Sequence, residues 1–469
     1  MPPIYINGQE VVKRYVGIQE VVAAYVGSQQ VFSSSSPAAL PAPDGFPSVP
    51  FGATFTKNGS VFSTNFSAST SLVEGGPGVT TYYVDKATGL DTNPGTSALP
   101  YKTIYKALLN NRGVAPKMLL KVNGGTYYLT ENFHNSNPEA VEFACVSWDG
   151  NPVICSDEIP GLTWTLDASN TYYASVAGYG YANYASSVWD GSIPDAWGDH
   201  VALIPSASIA ACKAVAGTYY TDTASSRVYV HTSDGRAPDA NIHVFEAWGG
   251  PGQYIDFPGA PANGICYFEN IHFRGGAGTF IVKQTSATYT TIAQFKNCTF
   301  KYAAGPQSVN CLGNVDIAFE NCTASANHGD NFSYGDYGGG PAPRALEIGC
   351  ESRMCGAIMT GTANQGSTVH NGTTIVRLNG NYHHNENDQI ADVNASNSWL
   401  IACTSANGRK ANYSGFRAGN GVGATTMWLD SCVSTGNTYG AASDSGCAVY
   451  KRDYSGDAGT TGSGSFSAY

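Results

Sequence analysis

Positively charged residues are scarce in this sequence. Lys and Arg together number 24, against 35 Asp and Glu among 469 residues, and the formal net charge is -11. No cluster of Lys and Arg occurs anywhere along the chain. A protein that binds nucleic acid or an anionic membrane surface needs a basic patch to attract phosphate groups. The sequence therefore argues against both partners and favours a neutral or hydroxylated ligand.

Long hydrophobic runs are also missing. No stretch approaches the ~20 apolar residues that are needed to span a bilayer, so membrane insertion is not expected. The first residues, MPPIYINGQEVVKRYV, contain neither a basic n-region nor an apolar h-region. A Sec-type signal peptide is therefore not expected either.

Motifs for common catalytic and cofactor sites are absent as well. The sequence contains no P-loop, dinucleotide fingerprint or Ser-His-Asp constellation, which leaves ATPase, dehydrogenase and esterase functions without support. No Cys-X-X-Cys pair is joined by a second pair or a His pair at zinc spacing, and Cys350 with Cys355 is the nearest approach. We predict neither a metal site nor a cofactor.

Glycine and tyrosine, in contrast, are abundant, with 55 and 29 residues. Charged residues make up 13% of the chain, whereas about 25% is typical of globular proteins. This composition favours β structure with many tight turns. At ~150 residues per domain, the length corresponds to about three domains or to one long repetitive domain with attachments.

The N-terminus contains a ten-residue repeat. Val11 aligns with Val21 and Val31, and Tyr15 aligns with Tyr25. Each unit predicts a short strand, Val11 to Val16 and Val21 to Val26, bounded by a Gly turn. Such a small meander buries too little apolar surface to be stable alone. We interpret residues 1–32 as an attachment module, and the Ser- and Pro-rich residues 33–78 as a linker followed by edge strands.

A longer repeat occupies the second half of the chain. Short apolar segments such as FENIHF, FKNCTF and FENCTA recur at spacings of 23 to 30 residues, each followed by an Asn- and Gly-rich turn. One position in each unit, the ladder position, is small or apolar: Ile271, Cys298, Cys322, Cys350, Gly380, Cys403 and Cys432. A stacked interior ladder requires such a position once per coil. We therefore expect the repeated cysteines to be reduced and buried.

The segment YYVDKATGLDTNPGTSALPYKTIYKAL at 82–108 predicts a strand, a loop and a short helix that begins near Pro100. Together with the FxNCT units it resembles the pectate-lyase-like superfamily over about 79–455. The resemblance implies an all-β, right-handed parallel β-helix, or solenoid, for residues 79–469. With its N-terminal module and linker, the chain is most similar to phage tailspike and head-spike proteins. Relatives of that kind are usually homotrimers that bind, and often cleave, host surface polysaccharide.

Residues 140–262 interrupt the coil rhythm with an irregular, aromatic-rich insertion. It contains Trp148, Trp164, Trp189, Trp197 and Trp248. Sugar recognition needs flat aromatic faces and short polar side chains, and we predict Trp189 and Trp197 as substrate-binding residues. The alternative is that these aromatic residues fill the core of the insertion.

Hydrolysis of a glycosidic bond needs two carboxyl groups, one protonated and one ionised. Asp330 and Asp388 each fall eight residues after a ladder position, Cys322 and Gly380, and so should occupy equivalent corners two coils apart. At ~4.8 Å per coil their backbones would lie ~9.6 Å apart, near the upper end of the range for inverting glycosidases. We predict them as a catalytic pair, with Glu347 on the coil between them.

Polar residues around this pair are the predicted substrate-binding groups: His328, His384, Asp336 and Asp392. Asp and Asn are also the ordinary residues of tight turns, so a structural role is the alternative at these positions. Asn327, Asn385 and Asn437, each five residues after a ladder position, predict such a stacked turn column. A lyase, which needs a basic residue beside a uronate, is less well supported.

Three hypotheses follow. In the first, the chain is a virion spike, made in the bacterial cytoplasm, that docks on a virion structural protein through residues 1–32. Its trimeric β-helix recognises capsule or O-antigen polysaccharide and degrades it as a depolymerase, with glycoside hydrolysis favoured over lyase chemistry. In the second, the same spike is purely adhesive. In the third, the chain is a free bacterial polysaccharide hydrolase or lyase.

Overall fold

The structure is a computed structural model. It describes residues 37–111, 117–133, 142–179, 187–246, 263–336, 338–356, 364–410, 414–456 and 459–469. It also describes the backbone of residues 185–186 and of the strands Ile4–Ile6, Gln9–Val11, Ala23–Val26, Gln29–Ser33 and Tyr254–Phe257. The chain forms two compact units, Met1–Ser67 and Ala68–Tyr469.

The first unit is built from short antiparallel strands. Its two hairpins are Ile4–Ile6 with Gln9–Val11 and Ala23–Val26 with Gln29–Ser33. A three-stranded sheet and a 3-10 turn follow: Ala38–Leu40, Phe55–Asn58, Val61–Thr64 and Pro50–Gly52. The predicted strand at 21–26 is found as Ala23–Val26, whereas most of the one predicted at 11–16 lies outside the described residues.

The second unit is a coil of three parallel sheets, which we call A, B and C. Each turn of the coil runs through A, then B, then C, and each strand pairs in parallel with its equivalents on the neighbouring coils. This arrangement confirms the predicted all-β parallel β-helix, in which each coil contacts only its neighbours.

The strands of the three sheets have the following bounds. Sheet A has 12 strands: Val79–Val84, Lys117–Val122, Glu142–Ser147, Ile265–Glu269, Thr291–Lys296, Val315–Glu320, Arg344–Ile348, Thr374–Leu378, Asn397–Ile401, Thr426–Asp430, Ala448–Arg452 and Ser465–Ala468. Sheet B has 10: Gly125–Tyr128, Val153–Ser156, Ile271–Arg274, Thr299–Lys301, Thr323–Ser325, Glu351–Arg353, Asn381–His383, Thr404–Ala406, Val433–Thr435 and Ser455–Gly456. Sheet C has 9: Tyr254–Phe257, Phe280–Gln284, Gln307–Gly313, Asp330–Gly335, Ser367–Val369, Ile390–Val393, Ser414–Gly419, Tyr439–Ser443 and Thr460–Thr461.

The predicted short helix is present as Ile104–Asn111, and it buries Ile104, Ala107 and Leu108 in the first coils of the core. A second helix, Ile209–Ala214, lies in the insertion, and a 3-10 turn covers Leu129–Glu131. Within the described residues, neither helix has the length and apolar character needed to cross a membrane.

A left-handed residue forms the corner between sheets A and B in the eight coils that run from Ile265–Glu269 to Ala448–Arg452. These residues have φ between 50° and 61°: Asn270, Asn297, Asn321, Gly349, Asn379, Ala402, Ser431 and Asp453. Apart from Gly, Asn is among the residues that adopt this conformation most readily, which explains the Asn of the FxN repeat. The next residue in each coil turns inward and forms the predicted ladder.

All twelve cysteines are free and buried. Burial raises the pKa of the ladder thiols Cys322, Cys350 and Cys432, which makes the reactive thiolate rare. We expect a thiol reagent such as 5,5′-dithiobis(2-nitrobenzoate) to label the native chain very slowly and to label all cysteines after denaturation in urea. Rapid labelling of the native protein, or fewer thiols after denaturation without reductant, would contradict this arrangement.

The interior of the coil changes character midway along its length. An inward column of sheet A contains the stacked rings of Phe268, Phe295 and Phe319, whose centroids are 4.9 and 5.0 Å apart. The next two residues of the column are Glu347 and Arg377, and Leu400 follows. Two charged side chains on successive coils therefore interrupt the apolar column, which continues with Leu400 on the coil after Arg377.

Glu347, Arg377 and Asp392 form what we call the ionic layer, and all three side chains are fully buried. Arg377 donates from Nη1 to Asp392 Oδ2 at 2.7 Å and from Nη2 to Oδ1 at 2.9 Å. Glu347 accepts hydrogen bonds from the Tyr334 hydroxyl at 2.9 Å, from the Ser367 hydroxyl at 2.7 Å and from Tyr382. These donors compensate the carboxylate for its lost hydration.

The insertion occupies a turn between sheets B and C. The chain leaves the coil after Val153–Ser156 and returns at Glu246, whose N–H donates to the carbonyl of Asp157 at 3.0 Å. Its strands are mostly antiparallel: Thr165–Ala168, Thr171–Ser175, Ala185–Asp190, Val201–Ala202, Ile204–Pro205, Thr218–Asp222, Arg227–His231 and Ile242–Glu246. They enclose an apolar core of their own, which includes Val188, Val230 and Val244.

Candidate functional site

A column of side chains that are basic in four of five coils runs along the outer face of sheet B. Its members pair on successive coils and each lies three residues after a ladder position: Arg274, Lys301, Ser325, Arg353 and His383. Side chains at this position point away from the coil interior, because the period of a strand is two. The insertion approaches the coil along this face.

Asp199 of the insertion is the main ionic contact with that column. Its fully buried carboxylate accepts hydrogen bonds from Arg353 Nη2 at 2.9 Å and Nε at 3.2 Å, and it also pairs with Lys301. Burial alone raises the pKa of Asp199, but Lys301 and Arg353 outweigh it and the pKa is lowered overall. The contact fixes the insertion across two strands of sheet B.

A chain of hydrogen bonds begins beside this contact. Glu351 Oε1 is 2.9 Å from His383 Nε2, and His383 Nδ1 is 2.9 Å from His384 Nδ1. The other carboxylate oxygen of Glu351 pairs with Arg353. His383 and Arg353 lower the pKa of Glu351 despite partial burial, so its carboxyl group is ionised at neutral pH.

Trp197 of the insertion covers the outer end of this chain. The centroid of its ring lies 4.7 Å from that of His384, edge to face, and 5.4 Å from that of His383. The residue nevertheless remains 38% exposed. We call Trp197, Glu351, His383 and His384 the seam site, since they lie where the insertion meets sheet B. It combines an accessible aromatic surface with polar groups.

The predicted pair Asp330 and Asp388 does occupy equivalent corners. Phe332 pairs with Ser367, and Ser367 pairs with Ile390 on the following coil. Asp330 lies two residues before Phe332, and Asp388 lies two residues before Ile390. The placement two coils apart is therefore confirmed.

Both aspartates are buried, at 7% and 2% exposure. Each accepts a backbone N–H from the next coil: Asp330 from Gln365 at 2.7 Å and Asp388 from Ser414 at 2.6 Å. Burial raises the pKa of Asp330 to about 7 and also raises the pKa of Asp388. The geometry accounts for both as turn residues, and their catalytic role stays a prediction.

The asparagine column is confirmed as a turn device. Each side chain accepts an N–H and donates to a carbonyl of the preceding coil. The partners are Ala303 and Phe300 for Asn327, Cys355 and Ser352 for Asn385, and Gly408 and Ser405 for Asn437.

His328 and Trp189 lie together but inside the molecule. Trp189 is only 1% exposed, and its ring centroid is 5.0 Å from that of Tyr302 and 5.7 Å from that of His328. Burial lowers the pKa of His328 to about 4. The core-filling alternative therefore accounts for Trp189, because no sugar can reach its ring, whereas Trp197 keeps an accessible face.

The remaining predicted residues are not brought to the seam site. Glu347 and Asp392 belong to the ionic layer, where neither carboxylate has any exposed surface for a polysaccharide to contact. Asp336 lies in a turn between sheets C and A, where it accepts the N–H of Gly339 at 2.7 Å and bonds to Asn371. Of the nine predicted residues, the seam site thus contains His384 and Trp197.

Sequence reasoning missed Glu351 and Asp199. Glu351 follows the ladder residue Cys350 directly, and that spacing places it outside, next to the basic column. No spacing rule could have found Asp199, because it reaches sheet B only through the folded insertion. Within the described ranges, no group of three or more His, Cys, Asp and Glu side chains is arranged to hold a metal ion.

No protein-family model matches the sequence, and no curated protein matches it either. Among solved structures, the chain is similar to one described as a glycoside hydrolase, with 12% identity, a TM-score of 0.59, and coverage of 83% of this chain and 96% of that one. It also aligns with the pectate lyase Pel9A (14% identity, TM-score 0.40, coverage 82% and 78%). A third alignment is with the tailspike protein gp49 from Pseudomonas phage LKA1 (12% identity, TM-score 0.23, coverage 76% and 72%). The first alignment shows a shared fold. This chain is thus a three-sheeted parallel β-helix, the architecture that the pectate-lyase-like resemblance predicted.

Proposed function

We propose that this protein is a virion spike that binds host cell-surface polysaccharide, capsule or O-antigen, at the seam site. The observation that carries the proposal is the ring of Trp197, which stays 38% exposed although it packs against His384. An aromatic face beside hydrogen-bonding groups suits the CH surface and hydroxyl groups of a sugar ring.

The charges around the seam site favour a neutral saccharide. Lys301 and Arg353 are paired with Asp199, and Glu351 is paired with Arg353 and His383. The net charge of the whole chain is -11, which repels polyanions at long range. Hydroxyl groups can still exchange hydrogen bonds with the outer edge of His384.

The virion role rests on the N-terminal module. We propose that residues 1–32, whose described strands form two hairpins, dock on a virion structural protein, and that the body is a homotrimer. Short hairpins bury little apolar surface on their own, and docking on a partner increases the surface that they bury. Electron microscopy of purified particles, with antibody against the β-helix, would locate the spike; its absence from particles would favour a free bacterial enzyme.

Polysaccharide binding should depend on Trp197. We expect Trp197→Ala to weaken affinity for polysaccharide extracted from the host at least ~10-fold, because truncating a central aromatic contact typically costs ~2 kcal/mol or more. Isothermal titration calorimetry measures the change. Trp148→Ala is the matched control, since Trp148 is 37% exposed and packs on Tyr83 instead. Equal affinity in all three proteins would refute the proposed site.

Incubation of the protein with host polysaccharide distinguishes an adhesive spike from a depolymerase. Size-exclusion chromatography and a reducing-end assay show whether bound polysaccharide is also shortened. Asp330→Asn and Asp388→Asn test the predicted catalytic pair, and loss of shortening in both variants would support a carboxylate-dependent depolymerase. Binding without shortening would favour the adhesive alternative.

A further inference from the structure

The hydrogen-bond chain at the seam site determines where each proton lies. An ionised carboxylate only accepts hydrogen bonds, so His383 must donate from Nε2 to Glu351. A neutral imidazole has one N–H, which leaves His383 Nδ1 as an acceptor. His384 must therefore donate from Nδ1 across the 2.9 Å contact, and its Nε2 retains a free lone pair.

His384 Nε2 is thus a base whose conjugate acid can pass its positive charge inward. When Nε2 takes up a proton, the Nδ1 proton of His384 can move to His383, whose positive charge then faces the Glu351 carboxylate. Arg353 and Asp199 hold Glu351 and the insertion in place behind it. The half-exposed His384 is the outermost member of this relay.

A cation lies beside His384 on the next coil. The Arg409 N–H donates to the carbonyl of Asn385 at 2.9 Å, and its exposed guanidinium donates to the carbonyl of Cys355 at 3.3 Å. Burial, His383 and Arg409 lower the pKa of His384. The neighbouring Lys410 is paired with Glu386 at 2.5 Å. Within the described residues, Arg409 has no carboxylate partner and is available to a developing negative charge.

We propose that His384 is the general base of a second activity at the seam site, the hydrolysis of acyl esters carried by a bound polysaccharide. The ester activity rests on the proposed function, since the polysaccharide bound at Trp197 supplies the acyl group. It needs no serine nucleophile, because water is the attacking group.

The carboxyl groups of the seam favour an ester over a glycosidic bond as the target. Glycoside hydrolysis needs a protonated carboxylic acid at the bond, but Glu351 and Asp199 are both held ionised by basic partners. Asp330 and Asp388 are buried and accept backbone N–H groups. A base and a nearby cation are what ester hydrolysis by water requires.

The proposed reaction is attack of water on the acyl carbon of the ester. His384 Nε2 removes a proton from water while the water oxygen bonds to the acyl carbon, and the carbonyl electron pair moves onto oxygen beside Arg409. The tetrahedral intermediate then re-forms its C=O bond and expels the sugar oxygen, which takes the proton from His384 Nε2. The products are a carboxylic acid and a free sugar hydroxyl, and the imidazole is regenerated.

The test uses 4-nitrophenyl acetate with the full chain, because this ester does not require sugar binding. We expect His384→Gln to lower kcat/KM at least ~100-fold, whereas His231→Gln, a histidine of the insertion outside the seam site, should retain the wild-type rate. Wild-type hydrolysis no faster than the buffer background, or full activity in His384→Gln, would overturn the proposal.

The positioning role of Glu351 has its own readout. The wild-type rate should rise with pH to a midpoint below ~6.5, the ordinary pKa of histidine, as His384 loses its proton. In Glu351→Gln the midpoint should move lower, because the carboxylate no longer stabilises the protonated relay. An unchanged midpoint would refute the relay.

Polysaccharide binding distinguishes this inference from the proposed function. Calorimetry with host polysaccharide should show that the wild-type chain binds it. Ester hydrolysis without any polysaccharide binding would support His384 as the catalytic base and refute polysaccharide as the ligand. Binding without ester hydrolysis would leave the proposed function and refute the inference.

Discussion

Replacing Arg377 with methionine should lower the free energy of unfolding by about 3–5 kcal/mol. The substitution removes the cation from the ionic layer and leaves Glu347 and Asp392 as two carboxylates in a fully buried space. An uncompensated buried charge costs far more than a lost surface contact, because water cannot solvate it. Urea unfolding followed by circular dichroism would show a lower midpoint.

A double variant tests whether charge is the cause. Arg377→Met/Asp392→Ala removes one of the two stranded carboxylates, while Glu347 keeps its bonds from Tyr334 and Ser367. It should therefore be more stable than Arg377→Met alone, despite the second substitution. Additive losses would show instead that packing dominates.

A surface pair provides the control for the same residue type. Arg344 is paired with Asp316 at 2.9 Å, but its side chain is 41% exposed. Arg344→Met should change stability by about 1 kcal/mol or less, the usual range for exposed ion pairs. A loss as large as that of Arg377→Met would contradict the role given to burial.

Asp330→Asn should become progressively more stable than wild type as the pH rises from about 4 to about 7. The carboxyl group has a pKa of about 7 in the folded chain and about 3.9 when unfolded. Below pH ~4 the Asp330 carboxyl group is protonated in both the folded and the unfolded state, so the stability difference between the variant and wild type no longer changes with pH. Between these values the unfolded state releases its proton first, so wild type loses stability with rising pH.

The expected difference reaches about 2–4 kcal/mol above pH ~7, since each pKa unit corresponds to about 1.4 kcal/mol. Asparagine can still accept the Gln365 N–H and carries no charge. Denaturation midpoints at pH 4.5, 6 and 8 measure the trend. Asp149→Asn is the control of opposite sign, because hydrogen bonds outweigh burial there and lower the pKa of Asp149. A pH-independent difference for Asp330→Asn would refute the raised pKa.

The same variant bears on catalysis. If Asp330→Asn is more stable at neutral pH but no longer shortens polysaccharide, the carboxyl group is kept at a cost in stability for its chemistry. If the variant still shortens polysaccharide, the hydrogen bond to Gln365 explains the presence of Asp330 without a catalytic role.

Spacing from the ladder position predicted positions within a coil. Eight residues after the ladder placed Asp330 and Asp388 in one column, because the parallel register carries each offset from coil to coil. The same reasoning contained an unused signal. Glu347 and Arg377 lie three residues before Cys350 and Gly380, where the earlier coils have phenylalanine. Opposite charges at that inward position on adjacent coils would have predicted the ionic layer.

The seam site was beyond reach of such counting. Trp197 and His384 come from an irregular insertion and a coil corner, and nothing in their local sequences relates them. Their contact depends on how the insertion folds and where Asp199 meets Arg353. Tertiary packing of this kind leaves no periodic trace, so Trp189 and Trp197 looked equivalent in sequence although only one is accessible.

The two ends of the insertion meet through neighbouring backbone hydrogen bonds, from the Glu246 N–H to the Asp157 carbonyl at 3.0 Å and from the Ile159 N–H to the Val244 carbonyl at 2.8 Å. Residues 158–245 therefore enter and leave the coil at one point, and the strands before and after them belong to the regular solenoid. A different segment whose ends are equally close could replace them without shifting any coil. The insertion can thus be exchanged as one unit, while the solenoid that supports it stays the same.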